Sequence, residues 1–295
     1  PAIVGAAVIG GSYFGDNLSM ISDTTIAAVR TQGCEMKDKF RENFKIALPA
    51  ALVTLVIILV LSLGTDISGT VQNDYNLLEL IPYLIVLVGG IVGINVFIVL
   101  LLGILSGSII VVAEGAVAAT DLLGNMGTGA AGMFETTMVA VLVSAICALI
   151  RENGGFVALL NGIKRLFRSR KGGQLGMGLL VGAMDIATAN NTVAIVMANP
   201  IAHEMAETYN VSRRKTASIL DTFSCVFQGV IPYGAQMLVA ISACTELGFQ
   251  VSAFQIMPFL FYPFFLLISS LVFIFFVPDD RGYVSDHAAY HSSSS

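Results

Sequence analysis

Charge is what this sequence has least of. Only 12% of its 295 residues are Asp, Glu, Lys or Arg, about half the roughly 25% of an ordinary soluble domain. So few charges exclude a water-covered globule, and the hydrophobic share of 56% and mean hydropathy of +0.83 agree. Apolar runs near 46–64, 80–113, 133–150 and 256–277 lack the one-sided stripe of a soluble helix and are apolar all round. Each is long enough to cross a hydrocarbon core of ~30 Å, which takes about 20 helical residues. The fold class expected is an all-α polytopic membrane protein.

Cysteine is nearly absent as well. Cys34, Cys147, Cys225 and Cys244 form no CxxC pair and no metal-like spacing, so they are expected as small buried residues. No cofactor is expected. The tail 278–295 is polar and low in complexity, with His287 and His291 giving only a weak metal pattern. The sequence shows neither a signal peptide nor an initiator Met, and it opens on Pro1 in mid-pattern. It reads as a segment of something longer.

Basic residues are missing from 65–79, 114–132 and 246–255, which instead carry Asp66, Asp74, Glu79, Glu114, Asp121 and Glu246. They concentrate in 34–45 (Lys37, Lys39, Arg41, Lys45), in 151–172, and in "SRRK" at 212–215. The positive-inside rule puts these three basic loops in the cytoplasm of a cell inner-membrane protein, and the three acidic segments outside. The basic loops read as orientation determinants, with no nucleic-acid partner.

That map gives a topology. Residues 174–203, "QLGMGLLVGAMDIATANNTVAIVMANPIAH", lie between two basic stretches. A single crossing would put one of those stretches outside, so a re-entrant hairpin is expected, with "DIATANN" near mid-membrane. Irregular backbone at that depth is tolerated only where protein or a water-filled cavity surrounds it. Residues 216–243 then cross outward, broken at "QGVIPYG" (228–234) around Pro232, and 256–277 returns. At the start, a broken helix over 1–32, the basic loop 34–45 and a helix over 46–64 hold the same elements in opposite orientation. An external loop is expected over 65–79, and helices over 80–92, 95–113 and 133–150.

The two ends share a pattern. Asp16 has Ser19 at +3 and Asp23 at +7, and Asp221 has Ser224 at +3 and Gln228 at +7. Inverted-topology repeats with broken helices meeting at the midplane are a signature of secondary transporters. About 141 residues separate 80 from Asp221 whereas 15 precede Asp16, so roughly 126 residues of the first repeat are expected upstream.

Asp16, Asp23, Asp185 and Asp221 have no Lys or Arg near them in sequence. An isolated carboxylate at bilayer depth costs at least ~2.5–3.5 kcal/mol, so it needs a bound cation, a proton or a polar cavity. Asn17, Ser19, Thr188, Asn190, Asn191, Thr192, Ser224 and Gln228 add neutral groups. An oxygen-rich, thiol-free set suits a hard cation such as Na⁺ or H⁺, with Na⁺ expected at Asp16, Asp221 and Asp185. A carboxylate able to hold either ion but not both couples their fluxes by competition. Asp23 also suits a helix cap, and the hairpin-tip residues suit turn chemistry equally well.

"GGSYFGDNLSMISDTTIAAVRTQGCEMKDKFREN" resembles the signature region of the NhaC-type Na⁺/H⁺ antiporter family, within the ion transporter superfamily. "GAMDIATANNTVAIVMANPIAHEM" and "ASILDTFSCVFQGVIPYGAQ" resemble its second-half hairpin and broken helix. The resemblance covers most of residues 1–277 and implies Na⁺/H⁺ exchange, with scaffold helices around moving hairpin-bearing bundles. The same fold also serves cation-coupled exchangers of organic acids and amino acids, which remains an alternative. Such a carrier wants a cationic group or a half-helix N-terminus facing its site, and Arg30 is the only basic residue close to the polar motifs. An intramembrane aspartyl protease is a remote alternative, because "FGDN" shares only its GD with the G-x-G-D pattern and no Y-D pair accompanies it. The expected partners are the lipid bilayer, Na⁺ and H⁺, with a homodimer left open.

Overall fold

The computed structural model describes residues 1–19, 22–63, 76–92, 94, 96–132, 152–167 and 169–279, with scattered positions between 134 and 149. All secondary structure among them is helical. Met36–Leu63 and Arg213–Glu246 are long and apolar enough to cross a bilayer. The pair Ala253–Phe259 and Phe261–Phe276, bent by 49°, qualifies when taken as one span. The chain is an α-helical, multi-pass membrane protein. It divides into a larger unit, Pro1–Ser62 with Glu135–Ser295, and a smaller one, Leu63–Phe134.

In the larger unit, α1 (Ala2–Leu18) and α2 (Asp23–Gln32) flank a break. Ser22 is extended at the N-cap of α2, and Gly33 ends that helix in the left-handed region at φ 63°, where a glycine carries no Cβ penalty. Helix α3 runs over Met36–Leu63. The stretch 34–45, expected as a basic loop, is therefore helical from Met36. Two physical reasons account for this. Met, Lys, Arg and Glu are good helix formers whatever their polarity. Moreover, Lys39, Asn43, Ile46, Ala47, Ala50 and Thr54 form one buried stripe at three- and four-residue spacing. Pro49 sits inside α3, and Ser269 Oγ donates to the nearby Ile46 carbonyl at 2.7 Å.

The smaller unit holds a 3₁₀ turn (Leu77–Leu80), α4 (Ile81–Val92), α5 (Val96–Ala113) and α6 (Leu122–Gly132). Helices α4 and α5 pack closely, with a Cβ on Gly103 falling 2.7 Å from Val86. Small residues at such a contact let helix backbones approach in lipid. The expected helix over 133–150 lies largely outside the described residues, as do most of the loop 65–79 and the tail from 280 onward.

The larger unit continues with α7 (Gly155–Leu166), α8 (Arg170–Thr188), α9 (Asn191–Thr208), α10 (Arg213–Val230), α11 (Ala235–Glu246) and α12 (Phe261–Phe276). The basic stretches 151–172 and 212–215, expected as loops, thus contain α7 and the first turns of α8 and α10. The side chains of Ser169 and Ser212 cap α8 and α10 by accepting from Gly172 N and Lys215 N.

Helices α8 and α9 form an antiparallel hairpin, and α10 packs against both. Gly178 faces Phe223, where a Cβ would come within 2.7 Å of the ring, and Gly182 faces Phe227 more closely still. These pairs run in the same order along both helices, so α8 and α10 are parallel. One buried cluster gathers Met177, Leu180, Met184, Ile195, Met205, Leu220 and Phe223 between these helices. A second joins Ile9 and Tyr13 of α1 and Ile46 of α3 to Val226 of α10 and Tyr262 and Leu266 of α12.

Candidate cation site

The break between α1 and α2 presents its polar groups inward. Asp16, half-buried in the last turn of α1, accepts from Ser22 Oγ at 3.0 Å, and its carbonyl accepts from Thr25 Oγ1 at 3.1 Å. Asn17 is fully buried and donates to the Tyr13 carbonyl at 2.8 Å and to Tyr262 Oη at 3.3 Å. Ser19 lies in the break itself. Asp23 opens α2 and accepts from Thr24 N at 3.0 Å and from Thr192 Oγ1 on the hairpin at 2.5 Å. It is exposed, so its carboxylate serves as a helix-start acceptor and a tie between two elements.

Opposite the break stands a fully buried ion pair. Lys39 Nζ lies 2.6 Å from Asp221 Oδ2, with side-chain exposures of 1% and 0%. The same oxygen accepts from Asn43 Nδ2 at 2.6 Å, and Asn43 also donates to the Asn17 carbonyl at 2.8 Å. Lys39 donates as well to Thr25 Oγ1 at 2.6 Å. Asp221 Oδ1, Asn43 Oδ1 and Asn17 Oδ1 accept no hydrogen bond. Ser224 is buried beside them, its hydroxyl donating to the Asp221 carbonyl at 2.9 Å.

At the hairpin, Asp185 is fully buried near the end of α8, with the Gln228 backbone facing its carboxylate and no close hydrogen bond to either oxygen. Buried carboxylates ordinarily have closer donors than this. Thr188 and Asn190 are committed to the turn. Thr188 Oγ1 donates to the Asn190 carbonyl at 3.1 Å, and Asn190 Oδ1 caps α9 by accepting from Val193 N at 2.9 Å. Asn191 Oδ1 accepts from Thr192 N. Gln228, in the last turn of α10, donates to the Ala189 carbonyl at 2.9 Å and leaves its own oxygen unpaired. It thereby links the hairpin turn to the break at Ile231–Gly234.

Asp16, Asp185, Asp221 and Lys39 all lie within electrostatic reach of the buried Cys225, and Thr25 Oγ1 joins the Asp16 carbonyl to the Lys39 ammonium that Asp221 holds. Three carboxylates therefore share one region of the larger unit. Asp16 and Asp221 are placed differently relative to their breaks. Asp16 is two residues from the end of α1, while Asp221 is nine residues short of Val230. The matching D-x-x-S pattern does not put the two carboxylates at equivalent points of their helices.

Sequence reasoning missed Lys39, Asn43 and Thr25. The signal was present in the four-residue spacing from Lys39 to Asn43, which continues into the apolar series Ala47 and Ala50. The density of charge around Lys39 hid it.

Residues 76–277 match the family model described as the Na⁺/H⁺ antiporter family. The chain belongs to that family. It is 25% identical to the Na⁺/H⁺ antiporter NhaC of Bacillus subtilis, over 91% of this chain and 64% of that protein. It is 24% identical to the NhaC of Alkalihalophilus pseudofirmus, over 94% of this chain and again 64% of the relative. A third antiporter-family protein, from Haemophilus influenzae, is 31% identical over 30% of this chain. The chain spans about 64% of the length of the two NhaC relatives. No solved structure matches.

Proposed function

We propose that this chain is part of a Na⁺/H⁺ exchanger of the cytoplasmic membrane, in which the two ions compete for the carboxylates of half-buried Asp16 and buried Asp185 and Asp221. The observation that carries this reading is the convergence of three carboxylates and several acceptor oxygens lacking donors in one buried region of an antiporter-family protein. Carboxylate and amide oxygens suit a hard monovalent cation, and a proton on the same carboxylate excludes it. Exchange follows from that exclusion. Asp23 belongs to the site's edge as a tie to Thr192.

The buried Lys39 supplies the cationic group that an organic-acid exchanger would want. That ammonium is already matched by Asp221, while among the described residues neither Asp16 nor Asp185 forms an ion pair. The balance is negative and favours a cation as cargo.

A re-entrant reading of α8–α9 has structural support. Asp279 Oδ2 accepts from Arg170 at the start of α8, at 3.0 Å, and from Ser212 N at the cap of α10, at 2.8 Å. The chain therefore returns to the same level after both hairpin helices, and our reading puts that level in the cytoplasm. The test has two arms. Single-cysteine variants at 170 and 214 should react with a membrane-impermeant reagent from one face. In proteoliposomes of the full-length protein, Na⁺-driven proton flux should fall at least tenfold in D16N, D185N and D221N variants that are normally expressed. Labelling from opposite faces overturns the hairpin, and undiminished flux in all three variants overturns the carboxylate assignment.

A further inference from the structure

Lys39 has no role in simple competition between Na⁺ and H⁺, yet it occupies the best-formed carboxylate of the site. Its ammonium and the Asn43 amide together saturate Asp221 Oδ2 at 2.6 Å each, while Asp221 Oδ1 is left bare. The amide oxygens of Asn43 and Asn17, linked to Asp221 through the Asn43 amide, are bare too. An ammonium is a compact, strongly hydrated point charge on a flexible stem, so it resembles a hard monovalent cation in what it demands of a carboxylate. Any cation drawn to Asp221 Oδ1, Asn43 Oδ1 and Asn17 Oδ1 meets a like charge already bound to the neighbouring oxygen.

We propose that the Lys39 ammonium is a tethered competitor for the Asp221 cation position, neutralising Asp221 whenever no ion is bound there and withdrawing when Na⁺ enters. This rests on the exchanger reading and adds to it a residue that sets the Na⁺ concentration at which exchange begins.

The surroundings provide for both positions of the side chain. From α10, Asp221 faces the ammonium, and the Ser218 hydroxyl meets the Lys39 carbonyl at 3.5 Å. From α2, Thr25 Oγ1 accepts from it at 2.6 Å. From α1, the Asp16 carboxylate interacts with it electrostatically. On its own helix, Asn43 holds Asp221 without a charge. When Lys39 leaves Asp221 it keeps its hydrogen bond to Thr25. Asn43 remains to orient the carboxylate that Na⁺ then uses.

The experiment measures Na⁺-driven proton flux in proteoliposomes of the full-length protein at alkaline pH, where protons compete least. Wild type is compared with K39Q and K39R, each checked for monodisperse elution. Removing an intramolecular competitor should lower the half-saturating Na⁺ concentration on the order of tenfold in K39Q, within the usual range of site-to-site couplings. In K39R a permanently charged fork should hold both Asp221 oxygens, so half-saturation rises or exchange stops. A folded K39Q with unchanged or raised half-saturating Na⁺ overturns the proposal. Should K39Q not fold, K39R decides, and a wild-type half-saturation in that variant overturns it equally. Absence of Na⁺-driven flux in wild type is instead a failure of the exchanger reading. Radioactive Na⁺ binding to the same three proteins then tests the lysine by itself.

Discussion

Breaking the Lys39–Asp221 pair from one side should cost far more than removing it whole. Both side chains are out of water, at 1% and 0% exposure. Replacing Lys39 with Met leaves the Asp221 carboxylate with Asn43 as its one donor. Replacing Asp221 with Leu leaves the ammonium with Thr25 as its hydrogen-bond partner. Each single change strands a buried charge, which costs about 3–5 kcal/mol. The double variant removes both charges at once, and apolar replacements of buried pairs are often neutral or better. It should come within about 1 kcal/mol of wild type, with Asn43 still bonded to the Asn17 carbonyl. At about 2–4 °C per kcal/mol for a chain of this order, each single variant should unfold roughly 6–20 °C lower. The buried Cys34 and Cys225 provide the assay, since a thiol-reactive fluorophore reports their exposure as detergent-solubilised protein is heated. If the double variant loses as much as the two singles added together, the pair is not energetically coupled and the argument fails.

The interlock of α8 with α10 offers a second test. A Gly182→Leu change drives its side chain into the Phe227 ring and should cost at least about 1–3 kcal/mol, with partial rescue by Phe227→Ala. A Gly182→Leu thermal midpoint equal to wild type would count against the packing described. Thr192→Val removes the hydroxyl that ties the hairpin to Asp23 and should cost about 1 kcal/mol. Hydrogen exchange should speed up at the first turn of α9, and unchanged protection there would show the tie to be incidental.

The membrane class was legible because it depends on composition, which burial in lipid constrains directly. The site was legible only in part. Asp16, Asp185 and Asp221 stood out as carboxylates in apolar surroundings. Nothing local marked Lys39 as their companion, because an ion pair across 182 positions leaves no trace in either neighbourhood. Charge density around Lys39 argued for a solvated loop, whereas one face of that same stretch is packed. Removing Asp221 therefore strands a lysine that inspection of Asp221's own neighbours does not reveal. Thr188 and Asn190 show the opposite case: their oxygens suit ion ligation and hairpin turns alike, and the structure uses them in the turn.

Gly178 and Gly182 are one helical turn apart, as are Phe223 and Phe227, and this spacing limits how α8 can travel along α10. A slide by part of a turn would push an aromatic ring onto a neighbouring backbone. A slide by a whole turn would bring Phe223 to Gly182 but press Phe227 against Ile186. Neither displacement is accommodated, so the two helices are geared together and share one trajectory. Asp185 rides on one of them and Asp221 on the other. A pair locked in this way keeps the spacing between those two carboxylates fixed.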